Sequence, residues 1–342
     1  MKQGPLFNTL LFVFLIIAFI SCNQNRLKDV DVSIVQITPV KFLRLDEDVF
    51  LTPPDSFEQA SQKMKLKYNS FYNSFIFDVI NHGEEHDSVY KALKLFVQDA
   101  DMKEVFHESQ KVFTASEIKT LENQLTDAFK RLKYHLPQAS LPKQYVSFIS
   151  GFNYNIAPPI DSTLGIGLDM YLGAQNKYYQ MLRYPRYQAR CMSKDYIVSD
   201  AVKVWLIHIY NRNEQLNNLL NHMIFYGKLY YALDAVLPNT EDSIKIQYTS
   251  AQIKYCKDFQ KNLWAYFTQQ NRLFTNDLKE LAPFVSDGPF TSEISKECPP
   301  RIATYIGWQI VRAYMNKNPD ISVEQLMKAD AQVILSKSKY KP

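Results

Sequence analysis

Apolar residues recur every three to four positions over long stretches of this chain, and that spacing dictates a mostly helical fold. From Thr114, the stretch TASEIKTLENQLTDAFKRL sets Ile118, Leu121, Leu125, Phe129 and Leu132 on one face, opens on a Thr114/Glu117 capping box and ends at Pro137. A second helix is predicted from Glu214 to about Leu233, with Leu216, Leu219, Leu220, Met223, Gly227 and Tyr230 on one face. A third begins at Thr249, has Gln252 as its box partner, and presents Ile253, Cys256, Phe259, Leu263 and Phe267. The last long helix, Arg301 to Met315, carries Ile302, Ile306, Ile310 and Tyr314. Its Trp308 and Tyr305 add large area that must be buried, either in the core or, with Arg312, at a docking surface. Nine glycines, about a third of average usage, leave few places for such helices to break.

Three short stretches, Val32 to Ile37 (VSIVQI), Gln144 to Ile149 and Leu164 to Met170, are rich in β-branched or aromatic residues and read as strands. The fold class is therefore α+β, predominantly helical with a small sheet. Without a repeat, a low-complexity run or a clear linker, residues 32–342 are expected to form a single globular domain.

Ahead of that domain, Leu10 to Ile20 is unbroken and apolar, but a spanning helix needs about 20 such residues. Lys2 precedes the run and Ser21-Cys22 closes it, which is the organisation of a secretory signal over residues 1–21. Phe19-Ile20-Ser21-Cys22 resembles the lipobox of bacterial lipoproteins, with Phe19 in place of the usual leucine. Cys22 is thus the expected lipidation site, and residues 22–31 a short tether. Asn23-Gln24-Asn25-Arg26 lack an aspartate beside the cysteine and a lysine-acidic export cluster, so the expected address is the outer membrane, facing the periplasm.

A hydrophobic content of 46%, with 22 Tyr and 22 Phe, excludes disorder over most of the length. A net charge of +4, one less once Lys2 is removed, is too small and dispersed for a nucleic-acid footprint, so none is expected as a partner. Cys191, Cys256 and Cys298 include no CxxC pair; they form one disulfide or stay as buried free thiols.

Two motifs bear on metal chemistry. His82-Gly83-Glu84-Glu85-His86 matches H-x-x-E-H, which binds zinc through two histidines one helical turn apart. That needs a continuous helix, whereas Asn81, Gly83 and Asp87 read as a helix end and a solvated loop, so His82, Glu85 and His86 remain a weak candidate set. His107-Glu108 opens an H-E-x-x-H that Lys111 fails to complete. There is no dinucleotide fingerprint, P-loop or G-x-S-x-G, and no cofactor is expected. The polar residues that stand out in apolar surroundings are Asp169, His208, Lys228, Arg301 and Arg312. They read as an internal ionic network joining strand and helices, or else as a ligand pocket.

LGIGLDMYLGAQNKYY (164–179), MIFYGKLYYALDAVLP (223–238), IGWQIVRAYM (306–315) and the terminal DAQVILSKSKYKP resemble the Bacteroidetes gliding-motility lipoprotein GldB family. The resemblance implies a lipoprotein of the gliding and type IX secretion apparatus, with other envelope proteins and the membrane as partners. The order of elements also resembles zincin-type peptidases, which place H-E-x-x-H on one helix and Glu-Gly on the next. Here the first helix offers only His208, and Tyr226 stands where the glutamate would be, so this resemblance implies a scaffold without catalysis. The alternative is an enzyme, a zincin-like peptidase or peptidoglycan hydrolase, in which Asp169, His208 and Lys228 converge in a cleft.

Overall fold

β1 (Lys41–Arg44), β2 (Gln144–Phe148), β3 (Ile156–Ile160) and β4 (Thr163–Gly167) make one mixed sheet in the order β1-β2-β4-β3. In this computed structural model, which describes residues 27–80, 86–210 and 216–342, β1, β2 and β4 run parallel and β3 pairs antiparallel with β4. Side chains alternate along β2: Tyr145 and Ile149 face the larger core, Val146 and Phe148 the smaller one. Helices between Leu45 and Gln98 cover the smaller core with Phe57, Tyr68, Phe71, Phe75 and Leu93. The result is the α+β, mainly helical architecture that the periodicities required.

Two strands differ from expectation. Val32 to Ile37 is not a strand; Val35 N–H bonds back to Val32 O in a turn, Ile34 is exposed, and Lys41–Arg44 takes the sheet edge beside β2. Conversely β3, Ile-Ala-Pro-Pro-Ile, carries two prolines that read against a strand. It fits because it is the opposite edge and its register shifts between Ala157 and Ile160, so the missing N–H groups interrupt no ladder. The third expected strand survives as β4, but its last part, Leu168–Tyr171, coils into a 3-10 turn.

The larger core is framed by α1 (Ala115–His135), α2 (Ile197–Tyr210), α3 (Leu219–Val236), α4 (Asp242–Ile246), α5 (Ser250–Asp258), α6 (Gln260–Thr268) and α7 (Ile302–Lys317). Thr114 caps α1 by accepting from Glu117 N–H at 3.4 Å, and Thr249 with Gln252 completes a reciprocal capping box on α5. The predicted third helix is broken: Phe259 interrupts it between α5 and α6 and is exposed, while Cys256, Leu263 and Phe267 are buried. Asn218 caps α3, placing its start at Leu219; residues 211–215, where the sequence reading began it, lie outside the described residues.

α3 is buried around most of its circumference, as is α7, so neither is a surface helix with one apolar stripe. They cross backbone to backbone where Gly227 faces Gly307: a Cβ on Gly227 would lie 2.5 Å from Gly307 O, and one on Gly307 would lie 1.8 Å from Met223 O. Among the described residues no helix is long and apolar enough to cross a membrane.

Candidate functional site

Of the five polar residues singled out above, Asp169, Arg301 and Arg312 are held by separate sets of partners. Asp169 is fully buried at the turn after β4, where it accepts from Ser150 N–H (2.9 Å), Ser150 Oγ (2.9 Å) and Phe152 N–H (2.6 Å), fastening the loop after β2. His208 packs near Trp205 toward the end of α2, ring centroids 5.7 Å apart. Lys228 is buried and donates to Met327 O at 3.3 Å, tying α3 to the helix Val323–Lys328.

Arg312 on α7 does join an ionic network, but with partners the sequence reading left out. Its guanidinium bonds Asp234 of α3 through Nε and Nη2 (both 2.8 Å) and Asp242 of α4 through Nη1 and Nη2 (2.7 and 2.8 Å). Asp234 also accepts from Lys245 Nζ and Trp308 Nε1, each at 2.9 Å, and the guanidinium lies 3.8 Å from the centroid of a Trp308 ring. Burial opposes the charge on Arg312, yet the two aspartates outweigh it and raise its pKa. This cluster clamps three helices and has no free carboxylate left for chemistry.

Burial raises the pKa of Asp169 from an ordinary 3.8 to about 6, against the three hydrogen bonds that favour its ionised form. The folded chain then holds a proton that the unfolded chain has released, so stability falls as pH rises from about 4 to about 6, by an amount on the order of a few kcal/mol. Asp169→Asn is expected to flatten that slope, as read from melting temperature against pH in the two proteins.

Arg301 marks the most distinctive place in the fold. It sits in the left-handed region (φ 53°, ψ 34°) at the start of α7, a conformation that costs a non-glycine residue about 1 to 3 kcal/mol. The surroundings enforce it: Tyr248 OH donates to Pro300 O, Thr291 Oγ1 donates to Pro299 O at 2.7 Å, and both hydroxyl residues are buried. The side chain lines a cleft of about 310 Å³ whose wall includes residues that follow β2 and β4, Asn153, Asn155, Met170 and Tyr171. Asp200 of α2 also lines the cleft and is only 2% exposed, because Tyr171 OH (3.1 Å), Lys203 Nζ (3.0 Å) and Gln247 Nε2 (2.8 Å) all donate to it. Burial works against the ammonium of Lys203, and Asp200 outweighs it, holding its pKa above the ordinary range. Burial also pushes up the pKa of the Cys191 thiol in the cleft wall, so at neutral pH it is the weakly nucleophilic neutral form.

The turn of α2 containing Asp200 reads Ser199-Asp200-Ala201-Val202-Lys203 and offers no imidazole. An ammonium paired to its own aspartate is no zinc ligand, and Tyr226 on α3 supplies no carboxylate. The residues here do not fit a zincin metal centre. Among the described residues no three His, Cys, Asp or Glu converge as a metal set. The other candidate set, His82, Glu85 and His86, largely lies outside the described residues; a helix does begin at His86 and includes Asp87, which the sequence reading had placed in a loop. Cys22 is likewise outside them. Cys191, Cys256 and Cys298 are buried free thiols.

Sequence reasoning found Arg301 but missed Asp200, Lys203, Arg190 and Gln247. The i, i+3 pairing of Asp200 with Lys203 inside an otherwise apolar helix was the available signal. No curated protein and no solved structure matches the chain. The family model described as gliding motility protein GldB matches residues 25–342, nearly the whole of the sequence, and the chain therefore belongs to the GldB gliding-motility lipoprotein family.

Proposed function

We propose that this chain is an outer-membrane lipoprotein, anchored through acylated Cys22 and facing the periplasm as one globular unit, that serves the gliding and type IX secretion machinery without catalysing a reaction. The observation that carries the non-catalytic part is the fate of the groups a hydrolase would need. Asp169 is spent on a loop, Asp200 on three donors, and Lys228 donates to the carbonyl oxygen of Met327. The part-buried clamp at Arg312 suits a rigid part that presents a surface to envelope partners.

Anchoring is the directly testable part. Each buried methylene of an acyl chain contributes about 0.8 kcal/mol, and a single chain holds a protein only marginally, so multiple acylation is needed for stable attachment. Cys22→Ala is expected to shift the protein from the membrane to the soluble fraction and to abolish gliding in complementation. Membrane-bound wild type with an unacylated Cys22, seen by mass spectrometry, would overturn the proposal.

A further inference from the structure

Two guanidinium groups in the 310 Å³ cleft are only partly used. Arg301 donates Nη2 to Ile246 O at 2.9 Å, while its Nε is buried without a hydrogen-bond partner; the half-exposed Asp287 lies 3.4 Å from that atom, a charge contact without hydrogen-bond geometry. Arg190 donates Nη2 to Gln247 O. Each fork thus makes one hydrogen bond to a backbone carbonyl, Arg301 with Asp287 beside it as well, and keeps further donors in hand. Gln247 links the two halves, since its backbone fixes Arg190 and its side chain fixes Asp200.

The charges set the sign and size of what this cleft accepts. Arg190 and Arg301 line the cleft with Asp200 and Asp287; Lys203, which is not part of the lining, pairs with Asp200, and counting it leaves an excess of one positive charge. Asp200 is already saturated, so a doubly charged phosphate would meet carboxylates it could not displace, whereas a monoanion closes the balance. A planar carboxylate also matches the two-pronged geometry of a guanidinium better than a tetrahedral anion does. Beside the arginines the wall carries Tyr184, Tyr187 and Asn153, which offer aromatic faces and an amide to a small organic body. The volume is at the lower end for small-molecule sites, enough for about one residue.

We infer that this cleft is a binding site for a small carboxylate, such as a free chain-terminal carboxylate with the residue that bears it, gripped by Arg301 and Arg190. The strained start of α7 is the device that aims Arg301 into the cleft, and the proposal is independent of lipid anchoring and of the gliding role.

The test is titration of the soluble domain, lacking residues 1–22, with N-acetylalanine, N-acetylalaninamide and inorganic phosphate, followed by calorimetry or by NMR shifts. N-acetylalanine is expected to bind, the amide not to, and phosphate to bind more weakly than the carboxylate. Arg190→Gln and Arg301→Lys are each expected to weaken carboxylate binding about tenfold or more, the effect of losing one charge-assisted contact. Arg301→Lys keeps the charge but not the fork; should it fail to fold, Arg190→Gln carries the test alone. No saturable binding of N-acetylalanine, equal binding of the amide, tighter binding of phosphate, or binding unaffected by Arg190→Gln in a folded domain would each overturn the inference.

Discussion

Gly307→Ala is expected to destabilise the domain by more than about 3 kcal/mol, the upper range for overpacking a rigid core. A Cβ at that position would lie 1.8 Å from the Met223 carbonyl oxygen and 2.4 Å from its carbon, and neither atom belongs to a side chain that could rotate away. Relief requires α3 and α7 to move apart, which also strips packing from their buried faces. Separation would lengthen the bonds from Arg312 and Trp308 on α7 to Asp234 on α3. Gly227→Ala is expected to act in the same direction, because the carbonyl of Gly307 lies 2.5 Å from its Cβ position. Urea denaturation of the soluble domain reads both effects; a change under about 1 kcal/mol for Gly307→Ala would show that the helices do not touch in this way.

Trp308→Ala is expected to cost about 3 to 5 kcal/mol, as for other buried large aromatics. The ring is fully buried, packs 5.1 Å from Tyr230, carries the Arg312 guanidinium on its face and donates Nε1 to Asp234. Removing it takes away apolar area and the platform under a cation at once. Trp308→Phe is expected to lose less, about 1 to 2 kcal/mol, since a ring remains and Asp234 keeps its Arg312 and Lys245 donors. Tyr305 is buried as well, so the docking-surface reading of this helix face does not hold, and unchanged stability of Trp308→Ala is the result that would restore it.

The candidate cleft was much less legible than the core. Arg301 drew notice as a charge at the head of an apolar helix, and nothing local announced its left-handed backbone, which Tyr248 and Thr291 impose through the carbonyls of Pro300 and Pro299. Arg190 and Gln247 sit in short irregular connections with no periodicity, so their meeting is a property of how those connections pack. Asp169 is buried and Arg312 part-buried, but a sequence does not say which partner each one finds.

The sequence by itself determined the helices: spacing, caps at Thr114 and Thr249, and few glycines place the long ones because helical preference and amphipathic burial act over neighbouring residues. It also carried the family resemblance that the family match over residues 25–342 bears out. Only the tertiary structure decided that Val32 to Ile37 stays out of the sheet while a proline-bearing segment enters at its edge, because strand pairing depends on which edge is vacant. It likewise decided that Asp234 and Asp242, rather than Asp169, neutralise Arg312. Ion pairs and clefts join residues that are distant along the chain, and their partners are fixed only when packed helices bring those residues within a few ångströms.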